Sequence, residues 1–431
     1  MRAIVTLLAC ILAVARVAAA PVDCSDPNNL CTGDPCVVDF GPREVRIGGL
    51  KNVRNVDFTA ANFLVLGAIN GGVGNGGHFS LTATTGSIQT DGAMNFIGGG
   101  SPAGLGDNAI RLTAAGFIAI EKSIRLIESP IGGGSAGEFR LDAGASLFVR
   151  APIYSLEGAG PFNLIAGEDV AVIAPIKNVQ SGFVGNFANL TIQSGGTVTI
   201  DSPVFFVDGT IAIQAGAVIA VHDSVKTRGP AITLDAQGDI GTGGVVAATG
   251  RAGNSQGCGG GSLVSHAGAV SITKPVICSG RFGSLGVTIG ADADVTIDAT
   301  VKAPVRYNPG GPIAISSTSG SVTINGKLDT RGQSIGGDIQ VSGPSVQVNV
   351  ARADSRPGGA RQSYDATAGD LMLDGSFLAL DGGTIEGTAT GNVTAAGTFR
   401  VGATGCVALS AGGNVDASAA SFDQTVGTSC P

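Results

Sequence analysis

Residues 230–238 read Pro-Ala-Ile-Thr-Leu-Asp-Ala-Gln-Gly. Ile232 and Leu234 fall on one side of an extended chain, Thr233 and Asp235 fall on the other, and a glycine ends the run. Alternation with a period of two describes a strand with one face in a core and one in water. The phrase recurs, with its second apolar residue at Leu81, Leu112, Leu141, Leu164, Ile192, Ile213, Leu234, Leu263, Ile289, Ile315, Val341 and Leu373, at intervals of 21 to 32 residues. Second alternating runs follow most copies, as at Val170/Val172, Val198/Ile200, Val270/Ile272, Val295/Ile297, Val322/Ile324 and Val346/Val348. Short third runs come next, several opened by proline, as in Pro175-Ile176, Pro203-Val204 and Pro275-Val276.

Three short strands per repeat make one coil of a solenoid, too small to bury a core without its neighbours. Equivalent strands of successive coils then pair in parallel, with right-handed connections. The fold class expected is therefore all-β: a right-handed parallel β-helix of roughly a dozen or more coils. A β-sandwich would not repeat its turns in a fixed three-strand order. Before Leu81 the pattern is weaker, and Val45, Ile47, Val53, Val56 and Leu64/Leu66 point to irregular early coils.

Composition agrees. Glycine supplies 70 of 431 residues and only 13% are charged, yet 43% are hydrophobic, which a disordered glycine-rich chain would not contain. Residues 1–20 have the form of a secretory signal peptide: Arg2, an apolar run from 3 to 15, and Ala18-Ala19-Ala20 before Pro21. A buried helix and a lipid attachment at Cys10 are the weaker alternatives. Residues 21–40, with Cys24, Cys31 and Cys36, read as a cysteine-rich cap. A zinc site there lacks a fourth ligand. Residues 41–420 form the β-helix and 421–431 a C-terminal cap segment over an edge that would otherwise invite pairing. No later stretch is long and apolar enough for a membrane-spanning helix. Without Arg2 and Arg16 the chain has 23 basic against 33 acidic residues, which argues against nucleic acid as a partner.

The cysteines and charges fall on the repeat. Cys258 and Cys278 are 20 residues apart and Cys406 and Cys430 are 24 apart, close to one coil, so each pair is a disulfide candidate. Insertions at 98–108, 249–262, 306–312, 331–337 and 352–365 all follow a third run and precede a first, which places them along one corner. Arg281, Arg306, Arg331 and Arg356 lie there at intervals of 25 residues. A column of guanidinium groups on successive coils is expected either to face an anion, an acidic polysaccharide or a phosphate-rich envelope surface, or to splay apart as separate solvated residues.

Catalytic chemistry is sparse. Asp292, Asp294 and Asp298 share a parity opposite to Val295 and Ile297 and are the candidates for acid–base work. His78, His222 and His266 are scattered, and His222-Asp223 has no nucleophile one coil away. The glycine-rich 98–107 segment does not iterate as a calcium-binding roll must, and 71–77 lacks the strand–helix setting of a phosphate loop. Thr197/Thr199 and Ser321/Thr323 do not extend into a threonine array. No cofactor or metal is expected.

In repeat style, through phrases such as Gly-Gly-Thr-Val-Thr-Ile-Asp at 195–201 and Gly-Ser-Val-Thr-Ile-Asn-Gly at 320–326, the chain resembles the β-helical haemagglutinin- and autotransporter-passenger-like surface proteins of bacteria. The resemblance implies adhesion and surface display. It does not extend to a C-terminal barrel or to secretion-domain asparagine motifs in 21–80, so no export route comes with it. The expectation is an exported, non-enzymatic binding protein, secreted or held at the surface or in the periplasm. A polysaccharide lyase or glycoside hydrolase on the same scaffold is the alternative.

Overall fold

The computed structural model describes residues 36–427, apart from 54, 72–77, 99–108, 129–137, 157–159, 180–187, 208, 251–256, 357–358 and 424–425. Signal-like residues 1–20 and Cys24, Cys31 and Cys430 lie outside the described residues. Among those described there are strands and turns and no helix. The chain divides into two compact units, Met1–Val207 and Asp208–Pro431. Each is a parallel β-solenoid, with about 14 turns in the two together.

In the first unit the repeating core is the ladder Phe58, Leu81, Leu112, Leu141, Leu164 and Ile192, each paired with its counterpart one coil on. The second unit repeats the device through Ile213, Leu234, Leu263, Ile289, Ile315 and Val341. All are buried, and each contributes ~1.5–3 kcal/mol by leaving water. The residues between them, such as Thr233 and Ser262, face outward. Aromatic rings fill the wider parts of the core. In the first unit Phe162 meets Phe139 at a tilt and Phe206 edge-to-face; in the second Tyr364 meets Phe377 edge-to-face, Phe377 stacks on Phe399, and half-buried Phe422 stacks on Phe399 in turn.

Three details differ from the sequence reading. Leu373 does not continue the first-strand ladder: it pairs with Val348 on the second strand, and Tyr364 occupies the place beyond Val341. Tyr364 is fully buried, and its hydroxyl donates to Gln362 Oε1 at 3.1 Å, so a phenol fills an apolar position without an orphaned polar atom. In the strand Asn62–Val65 the inward residues are Phe63 and Val65, so Leu64 faces out. The solenoid also starts inside the expected cap, since Cys36–Asp39 is already a strand paired with Asn55–Ala60.

Towards the end of the second unit the second and third strands merge into longer ones, Ser345–Asp354, Leu371–Leu378, Val393–Arg400 and Val415–Phe422. Gly375 and Gly397 stack at their bend with φ of 124° and 90°. A Cβ on Gly375 would lie 1.8 Å from the Val350 carbonyl oxygen, so only glycine fits.

Candidate functional site

The loop-bearing corner of the second unit carries all four arginines, but as two pairs: Arg281 lies one coil from Arg306 and Arg331 one coil from Arg356, while between the pairs the register slips by two residues and Arg331 falls opposite Pro304. Backbone bonds tie its coils together: Tyr307 N–H donates to the Arg281 carbonyl at 3.0 Å, Val305 N–H to that of Arg331 at 3.0 Å, and Gly332 N–H to that of Arg356 at 3.1 Å. The column then splits into two chemically different halves.

Arg331 and Arg356 face carboxylates of their own chain. Asp329 and Asp354 are partners on adjacent strands, 1% and 0% exposed, and each is gripped by the arginine two residues on. Arg331 Nε and Nη2 donate to the two Asp329 oxygens at 2.8 Å each, and Lys327 adds a bond at 3.0 Å. Arg356 Nε and Nη2 reach Asp354 at 2.8 and 3.0 Å, with Arg352 Nη2 at 3.1 Å. Burial pushes the Asp329 carboxyl up, but the bonds from Arg331 and Lys327 outweigh it and hold the group below the ordinary carboxylate range. Asp354 lies above that range: burial raises it, Arg352 opposes, and the neighbouring Asp329 charge raises it further. Arg331 is raised, chiefly by its bond to Asp329. This half of the corner is an internal charge cluster.

Arg281 and Arg306 are exposed and, among the described residues, have no carboxylate within ion-pair distance. Both lie over aromatic rings. The Arg281 guanidinium carbon is 5.3 Å from the Phe282 centroid and 5.2 Å from that of Tyr307, and Arg306 is 5.3 Å from Tyr307. The two rings stack across the coil boundary, 5.5 Å apart and 30° from parallel, and both remain more than a third exposed. Leu285 beside them is 75% exposed.

The loop carrying Arg281 and Phe282 is fixed at its base. Cys258 and Cys278 form a disulfide with Cα atoms 5.5 Å apart, and both are buried. Leu285 N–H donates to the Cys258 carbonyl at 2.9 Å, and Ser284 Oγ to that of Cys278 at 3.2 Å. Gly286 returns the chain to the strand Val287–Ala291 with φ of 92°, where a Cβ would meet the Pro312 carbonyl oxygen at 2.0 Å. Cys36 and Cys406 are each in a disulfide of their own, neither with the other nor with Cys258 or Cys278.

Asp292, Asp294 and Asp298 do not share one strand face. The first two lie in the bend between Val287–Ala291 and Val295–Ile297, where strand parity no longer applies, and Asp298 follows the second strand. Asp294 Oδ1 accepts the N–H and hydroxyl of Ser321 at 2.7 and 2.9 Å, and Asp298 Oδ1 accepts Asn325 Nδ2 at 2.8 Å. The Asp292 backbone carbonyl accepts Ser319. The Asp294 bond belongs to a corner device: Asn62, Asp169, Asp239, Asp370 and Asn392 likewise accept a backbone N–H from the following coil. His78 pairs with Asp57 at 2.9 Å and His266 with Asp235 at 2.8 Å, both across coils.

Among the described residues no group of three or more His, Cys, Asp or Glu could hold a metal ion, and no helix is long and apolar enough to cross a membrane. Of the glycine-rich 98–107 segment only Gly98 is described. Compared with protein-family models, curated proteins and solved structures, the chain matches none.

Proposed function

We propose that the protein is an exported, non-enzymatic binding scaffold, adhesin-like in character, that contacts acidic glycans through the loop-bearing corner of its second unit. The observation that carries this reading is the pair Arg281 and Arg306: two exposed guanidinium groups on successive coils, without a carboxylate partner among the described residues, beside two exposed rings. An arginine fork suits carboxylate recognition, and the aromatic face beneath each guanidinium helps to orient it. The signal-like residues 1–20 support export, and the repeat-style resemblance supports surface contact. The enzymatic alternative has less behind it, because Asp294 and Asp298 already hold the following coil.

The test is retention of the purified protein on an immobilised acidic polysaccharide across a salt gradient. Retention is expected at low salt and loss of it when all four arginines of the column are replaced by Ala. Equal retention of the two proteins contradicts the reading.

A further inference from the structure

We infer that the Arg281–Arg306 half of this corner takes a carboxylated pyranose, a uronic-acid residue of an extended chain, rather than a polyanion recognised by charge alone; this rests on the acidic-glycan reading above. The first ground is electrostatic. The chain carries a net charge of −8, and the cations of the other half of the corner, Lys327, Arg331, Arg352 and Arg356, are directed inward onto Asp329 and Asp354. Long-range attraction for a phosphate- or sulfate-rich polymer needs a broad basic field, and a local cluster of cations on a protein of net negative charge does not make one. Recognition here must come from short-range contact.

The second ground is the platform. Phe282 and Tyr307 are stacked, with Arg281 over both rings and Arg306 over Tyr307, yet each ring keeps more than a third of its surface in water, so apolar ring surface and guanidinium groups are presented together. The C–H face of a pyranose packs on such a surface, and its ring carboxylate then lies within reach of a planar guanidinium fork. A phosphate has no apolar face to place there. The third ground is spacing. Arg281 and Arg306 are one coil apart, about 4.8 Å along the stack, comparable with the advance of one sugar unit in an extended polysaccharide. Adjacent uronate residues running along the coil axis would therefore meet adjacent arginines. The Cys258–Cys278 disulfide and the bonds of Ser284 and Leu285 tie the Arg281 loop at its base, and such a constraint lowers the ordering cost of binding.

The experiment is calorimetric titration of the full chain with a galacturonate hexasaccharide at low salt, beside a neutral galactose oligosaccharide, a polyphosphate and a sulfated polysaccharide. The expected result is saturable uronate binding at least tenfold tighter than any of the other three. Tyr307→Ala and the pair Arg281→Gln/Arg306→Gln should each weaken it tenfold or more, while Tyr307→Phe retains it, with thermal melts verifying that each variant folds. Equal loss in Tyr307→Phe and Tyr307→Ala, or polyphosphate binding as tight as uronate and indifferent to Tyr307→Ala, overturns the inference. If the protein is retained on acidic polysaccharide yet does not bind the hexasaccharide, this inference fails and the broader reading stands. If it is retained on none, both fail.

Discussion

Asp329 and Asp354 occupy the same place on adjacent coils, both buried, and each is clasped by the arginine two residues further along. Two carboxylates stacked in a protein interior repel one another, and Lys327, Arg331, Arg352 and Arg356 offset that repulsion. Arg331→Ala should therefore destabilise the second unit by ~1–3 kcal/mol. That is less than the ~3–5 kcal/mol of a wholly buried pair, because the arginine head is half in water and Lys327 remains. Chemical denaturation of the variant measures it.

The same cluster makes stability depend on acid. The Asp329 carboxyl titrates below its unfolded value of ~3.9, so its contribution is complete above that pH and lost as pH falls through the lower folded-state value. Asp354, raised by burial, acts in the opposite sense: its contribution is present at acid pH and lost as pH rises through its folded value. Melting temperatures followed from pH 6 to about 2 should fall less steeply at the acid end for Asp329→Asn than for the parent protein. Parallel curves would remove Asp329 from the acid response.

Core and surface positions of the opening strand should separate cleanly. Leu234 is fully buried in the ladder between Ile213 and Leu263, and Leu234→Asp puts an unpaired charge there. Loss of cooperative folding by circular dichroism is the expected outcome. Thr233→Asp, on the outward face, should change stability by less than ~0.5 kcal/mol.

Asp294 tests the enzymatic alternative. If its carboxylate serves only the coil corner, Asp294→Ala should lower stability by ~0.5–1.5 kcal/mol through the lost Ser321 bonds and leave glycan retention unchanged. Release of reducing ends or unsaturated products from any polysaccharide, abolished by this substitution, would reverse the ranking.

Removing the Cys258–Cys278 disulfide should cost ~3 kcal/mol, since it closes a loop spanning 20 residues. Because Leu285 and Ser284 bond to the carbonyls of these two cysteines, a Cys258→Ala/Cys278→Ala variant should also lose glycan retention while the remaining coils stay folded. Denaturation and retention measured on one preparation distinguish the two effects.

Much of the fold was legible because a strand's period of two survives in Leu81 through Val341, each a branched aliphatic residue and most with a polar residue on at least one side. The ladder was lost at Tyr364 because nothing in Ser-Tyr-Asp marks a phenol as inward-facing; its partner Gln362 becomes a neighbour only in the folded chain. Parity likewise misplaced Asp292, Asp294 and Asp298, since it does not carry through a bend. The 25-residue spacing aligned Arg281 with Arg306 and Arg331 with Arg356, but it hid the two-residue slip between the pairs and their division into halves. A signal for that division was present. Asp-Thr-Arg at 329–331 and Asp-Ser-Arg at 354–356 share one pattern, and Arg281-Phe282 and Arg306-Tyr307 share another. Burial of the aspartates, which decides what each pattern means, is a tertiary property.

The most direct test compares two double variants on the same acidic polysaccharide column. Arg281→Gln/Arg306→Gln should fold with an unchanged melting temperature and lose retention. Arg331→Gln/Arg356→Gln should melt lower and, below its melting temperature, be retained as well as the parent. The opposite pattern, with retention following Arg331 and Arg356 and indifferent to Arg281 and Arg306, would contradict the assignment of the corner's two halves.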